Sequence, residues 1–135
     1  MKFSELKVGQ KASLVKTFTD EDVRTFAKIS LDTNPLHLSD EYAKTTIFGQ
    51  RIVHGMLTSS LISAVIANKL PGEGTIYLGQ ELRFLAPVLL NDTITAEVEV
   101  AELREDKKIA KLNTVCTNQD GKQVITGVAT VKCSQ

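Results

Sequence analysis

From His54 to Leu70 the chain carries an apolar residue on nearly every face of a helix. Met56, Leu57, Leu61, Ile62, Val65, Ile66 and Leu70 spread around the circumference, and the gaps hold Thr58, Ser59, Ser60, Ser63, Ala64 and Ala67. A helix apolar on all sides demands cover on all sides. At 1.5 Å per residue it spans roughly 25 Å, about the width of a small domain. PGEG at 71–74 stops it. The cover has to come from the C-terminal half of the chain, and after Gly74 the pattern changes to period two. Ile76, Leu78, Leu82 and Phe84 share one parity, then Ile94, Ala96, Val98 and Val100 alternate with Thr95, Glu97 and Glu99. Further runs from Lys108 to Thr117 and Lys122 to Cys133 complete the block, with Asp120-Gly121 as a hairpin signal between them. A strand near Lys11 to Phe18 joins the set. The expected class is α+β, a curved antiparallel sheet wrapped around one long central helix. Such a sheet has open edges, and pairing with a second copy would hide one.

A second helix precedes this unit in FTDEDVRTFAKIS. Thr19 is placed to cap it, Asp20, Glu21 and Asp22 fill its first turn, and Val23, Phe26, Ala27 and Ser30 recur on one face. It ends before LDTNP, because Pro35 disfavours helical dihedrals at Asn34.

Composition narrows the partners. The 135 residues are expected to form a single domain, 1–135, and the 16 basic and 16 acidic side chains cancel. A balanced chain without a basic cluster argues against nucleic acid or an anionic membrane as partner. The apolar run at 56–70, broken by four hydroxyl residues, falls short of the ~20 residues of a membrane span. The opening MKFSELKVGQ lacks the apolar core of a signal peptide. Cys116 and Cys133 stand far apart and match neither a zinc knuckle nor a redox pair, so buried free thiols and a cytoplasmic location are expected.

The chemistry-bearing letters lie in two stretches, LDTNPLH at 31–37 and RIVHGML at 51–57, which hold both histidines of the chain. Pro35 stiffens the first, restricting how Asp32 and His37 sit relative to each other. A carboxylate beside an imidazole is equipment for moving protons near neutral pH. A plain Asx-type turn with His37 merely capping or solvated is an equally open reading of the same letters. In the second stretch Gly55 stands where the long helix begins, at amides without intrahelical partners and about half a positive charge. With no side chain, it lets a ligand carbonyl approach its N–H, although a tight entry angle alone would also call for glycine. His54 reads as a structural or substrate-edge residue. Ser59, Ser60 and Ser63 form a stripe on one side of the helix; most such serines bond back to their own helix, and one facing the site would orient Asp32. No third ligand at a plausible spacing supports a metal, and no G-x-S-x-G supports a serine nucleophile.

Together DTNPLH, RIVHGML, LPGEGTIYLGQELRF and DTITAEVEV closely resemble the (R)-specific enoyl-CoA hydratases, or hydratase 2, of the MaoC-like group with the hot-dog fold. The similarity runs from about Thr19 to Val131. It implies a homodimer of two hot dogs joined edge to edge. The implied reaction is syn addition of water to trans-2-enoyl-CoA, giving (3R)-3-hydroxyacyl-CoA, in bacteria often for polyhydroxyalkanoate synthesis. By position the resemblance puts the catalytic dyad on Asp32 and His37 and the oxyanion-hole amide on Gly55. It puts a serine supporting the aspartate on Ser63 and a stabilising asparagine on Asn34. No cofactor is implied, since coenzyme A is part of the acyl-CoA substrate. A thioesterase on the same fold, or a non-catalytic acyl-CoA-binding module, is the alternative.

Overall fold

A computed structural model describes residues 1–134. Its elements are β1 (Lys11–Thr17), α1 (Asp20–Ser30), α2 (Pro35–Leu38), α3 (Asp40–Lys44), α4 (Gly55–Asn68), β2 (Ile76–Phe84), β3 (Thr93–Arg104), β4 (Ile109–Thr117) and β5 (Gln123–Lys132). The five strands form one antiparallel sheet in the order β1-β3-β4-β5-β2. The alternation in β3 does what it promises: Ile94, Ala96, Val98 and Val100 are buried, and the intervening glutamates face away, Glu97 reaching Lys11 across the β1 pair at 3.9 Å. The Asp120-Gly121 turn forms with Gly121 at φ 76°, and Asn118 Oδ1 accepts the N–H groups of Asp120 and Lys122.

Helix α4 lies across β3, β1 and β4, burying Leu61, Ile62, Val65 and Ile66 together with Thr58 and Ser59. It is not covered all round. Met56, Ser60, Ser63 and Ala67, at spacings of four, three and four, form an exposed stripe along the chain's outer side. One sheet curls around only part of a helix, and small side chains on the remaining stripe cost little when wet. The outer edge strand is also unlike its neighbours. In β2, Ile76, Tyr77 and Leu78 on one end and Phe84 on the other are all exposed despite alternating parity, so neither face of this edge is fully covered. Among the described residues no helix is long and apolar enough to cross a membrane.

Helix α1 is capped as the letters require: Thr19 Oγ1 accepts from Asp22 N–H and the Asp22 carboxylate accepts from Thr19 N–H. It closes at Leu31, whose left-handed backbone (φ 67°) redirects the chain toward the end of α4. DTNP does not simply turn. It runs into α2 and then α3, two short helices without the periodic run that would announce them.

A side-chain network ties β2 across β5 to Thr114 of β4. Tyr77 O–H donates to Gln80 Oε1, and Gln80 Nε2 donates to Glu81 O (2.7 Å) and Thr114 Oγ1 (3.1 Å). The Glu81 carbonyl thereby occupies the space that a Cβ on Gly127 would need. Because the obstacle is main chain, Gly127→Ala has to part the two strands. It is expected to cost about 1–3 kcal/mol, read as a lower urea midpoint at unchanged m-value.

Candidate active site

A cavity of about 460 Å³ opens at the N-terminus of α4, between Asp32, His54, Gly55 and Met56 on one side and Phe84 and Pro87 on the other. The four α-helices differ in how they begin. Thr19, Asn34 and Ser39 each cap their helix with a side-chain oxygen. Helix α4 starts at His54 with no side-chain cap. Its first intrahelical bond, from Thr58 N–H to His54 O (3.0 Å), leaves the amides of Gly55, Met56 and Leu57 ahead of the ladder. The uncapped end is the one facing the cavity. Gly55 is hemmed in there: a Cβ would stand 2.6 Å from Phe84 Cε1, so glycine lets the Phe84 ring pack over the helix terminus.

Asp32 reaches the cavity through an Asx turn. Its Oδ1 accepts Asn34 N–H (3.3 Å) and its own N–H donates to Ser30 Oγ (3.1 Å). Asn34 then caps α2 by accepting Leu36 N–H (3.1 Å), with Pro35 in the first turn. The Asx turn and the acid–base reading are therefore compatible: the turn aims both side chains. His37, buried in α2, is fixed by its ring: Nδ1 lies 2.8 Å from Ile52 O. A carbonyl oxygen only accepts, so Nδ1 carries the proton and Nε2 keeps its lone pair.

Asp32, His37 and His54 each bring one oxygen or nitrogen within 4.8 Å of the others. That clustering does not suit a shared cation. The His37 and His54 rings are stacked, centroids 3.8 Å apart and planes at 26°, so their in-plane lone pairs run side by side instead of converging on one point. One nitrogen of each ring is also committed to a carbonyl oxygen. The donor set fits proton handling better than metal binding.

Two residues of RIVHGML besides Gly55 matter here. Arg51, buried, donates from Nε to His37 O (2.8 Å) and pairs through its second amino group with Asp20. It ties α2 to the start of α1, and only the folded chain brings these positions together. His54 is nearly sealed from solvent and contacts both Asp32 and His37. Ser63 lies elsewhere. It is exposed, about 12 Å along the helix axis from Gly55, and within the described chain it makes no hydrogen bond to Asp32.

A curled antiparallel sheet around one helix defines the hot-dog fold class, and here a carboxylate and an imidazole gather near the helix's uncapped end. Sequence comparison is more specific: the family model described as MaoC like domain matches residues 3–132. The chain belongs to the MaoC-like family. It is 52% identical over 132 residues to an (R)-specific enoyl-CoA hydratase of Aeromonas caviae, covering 98% of both chains. It is 50% identical over 129 residues to one of Rhodospirillum rubrum, covering 96% of this chain and 89% of the relative. The solved structure of an R-hydratase from Pseudomonas aeruginosa superimposes with a TM-score of 0.94 at 48% identity, covering 99% of this chain and 86% of that one.

The Arg51 guanidinium holds the Asp20 carboxyl below its ordinary value of 3.8. A depressed carboxylate contributes stability that is present above that ordinary value and is lost as the pH falls through the lowered one. Asp20 is half exposed, so its share is small; the bond to His37 O is the larger loss. Arg51→Met is expected to cost about 1.5–3 kcal/mol at neutral pH. It should also flatten the acid limb of stability below pH 3.8, as followed by thermal melts across pH.

Proposed function

We propose that this protein is an (R)-specific enoyl-CoA hydratase, adding water reversibly to trans-2-enoyl-CoA to give (3R)-3-hydroxyacyl-CoA. The observation that carries the reading is the clustering of Asp32 with His37, where Asp32 and the uncapped start of α4 line one cavity. Hydratase relatives identical at half of their positions over nearly the whole chain support it.

The reaction needs a base for water, an acid for C2 and a place for negative charge. His37 Nε2, with its lone pair free, and the Asp32 carboxylate form the pair that takes a proton from water as its oxygen bonds C3. The C=C electrons move toward the thioester oxygen, and the pair returns a proton to C2 on the same face. Positioned acid–base groups of this kind contribute roughly 10²–10⁴ in rate. The thioester oxygen gathers charge opposite the Gly55 amide, where the helix terminus favours an anion; a comparable oxyanion donor is worth about 3–4 kcal/mol. Asn34 keeps the turn that aims the pair. No cofactor takes part, because coenzyme A arrives with the substrate.

The working unit is a homodimer in this reading. The exposed apolar ends of β2 and the bare stripe of α4 adjoin the cavity wall at Phe84 and Met56, and a second copy paired along β2 would cover them. Ser63, remote from Asp32 along its own helix, serves as that residue's support only across such a pairing. Free, buried thiols, with Cys116 pushed up to about 12 by burial, accord with a reducing cytoplasm.

Asp32→Asn and His37→Gln are expected to stay folded and each to lose crotonyl-CoA hydration by about 10²–10⁴, with Ser63→Ala costing much less. Loss of the enoyl absorbance without release of free thiol is the readout; thiol release would instead mean thioester hydrolysis. In sedimentation experiments the wild type should run as two chains, and Leu78→Lys, which places charge on the exposed part of β2, should shift it toward one.

A further inference from the structure

His54 is a buried titratable side chain that the proposed proton transfers do not use. It is 1% exposed. Its Nε2 lies 3.0 Å from Asp32 O, its face stacks on His37, and the Phe26 ring meets it edge-on at 4.8 Å. Because the Asp32 carbonyl only accepts, Nε2 carries the proton and Nδ1 is a bare lone pair. That Nδ1 is a buried side-chain atom with no hydrogen-bond partner. A buried acceptor without a partner is a standing cost to stability, and an apolar ring of similar size would avoid it.

We infer that His54 is a positioning residue, a brace that ties the Asp32 main chain to the face of the His37 ring and so sets the separation of the proposed acid–base pair. The inference rests on the hydratase reading. No apolar ring can replace it, since only a ring with an N–H on its rim both stacks and donates. Asp32 belongs to an exposed turn and His37 to a four-residue helix, so neither element is rigid enough alone to fix their distance. The brace works in one protonation state. Burial holds His54 below its ordinary value of 6.5, against an upward pull from its bond to the Asp32 main chain; the neighbouring His37 adds to the lowering and the Asp32 charge opposes it. The titratable groups facing it are these two, His37 from α2 and Asp32 from the turn.

The test uses His54→Phe, which keeps a ring without the donor, and His54→Gln, which keeps a donor without the ring. Each supplies half of the brace. Both are expected to lower kcat for crotonyl-CoA hydration by up to about 10², with KM little changed and both limbs of the pH–rate profile retained. His54→Phe should meanwhile melt no lower than wild type, since it removes an unpartnered buried nitrogen. On wild-type protein, imidazole ¹⁵N spectra at neutral pH should show His54 as the Nε2–H tautomer, with its titration below the ordinary 6.5. Either variant turning over at the wild-type kcat, a vanished pH limb, or a neutral His54 with its proton on Nδ1 would overturn the inference. A wild-type chain that leaves crotonyl-CoA unchanged would remove the hydratase reading instead, and the tautomer spectra would still decide whether the brace exists.

Discussion

The uncapped N-terminus of α4 is the constraint on which the rest depends. An apolar helix has to be wrapped, the five-stranded sheet wraps much of it, and its polar end is left at the wall of the cavity. Helix termini buried without partners are costly, and three other helices of this chain avoid that cost with a side-chain cap. Helix α4 does not. Amides without partners at the wall of a cavity are a ready place for a carbonyl oxygen that is about to gain charge.

The turn opposite that end is preorganised from several directions. The Asx bond at Asp32, the Asn34 cap, Pro35 and the left-handed Leu31 define its backbone. Ile52 O fixes the His37 tautomer, Arg51 holds the His37 carbonyl, and His54 stacks on its ring. Ile52, Arg51 and His54 all belong to the segment that leads into α4. The segment that delivers the helix terminus therefore also grips the turn bearing Asp32 and His37, which couples the two mechanically.

Much of this was legible in the letters. The Thr19 cap, the alternation of β3 to β5, the Asp120-Gly121 hairpin and the start of α4 at Gly55 are local features, and local propensity determines them. DTNPLH announced a stiff polar turn for the same reason. What stayed hidden depends on distance along the chain. Arg51 against Asp20 and His37, and His54 against Asp32, become neighbours only once α1 and α4 pack around the turn. The short helices α2 and α3 carry too few residues for a periodic signal. Full burial of α4 was expected from its composition, yet Met56, Ser60, Ser63 and Ala67 are open. Periodicity reports how much burial a helix needs, and it does not say which chain provides it.

The central claim is that a proton leaves water and returns to C2 on one face of a flat enoyl thioester held against the α4 terminus. Hydration of crotonyl-CoA in D₂O, with the configuration at C2 and C3 of the product determined, tests it most directly. The account predicts the (3R)-alcohol with deuterium at C2 added to the same face as the oxygen. A (3S) product, or deuterium on the opposite face, would contradict it.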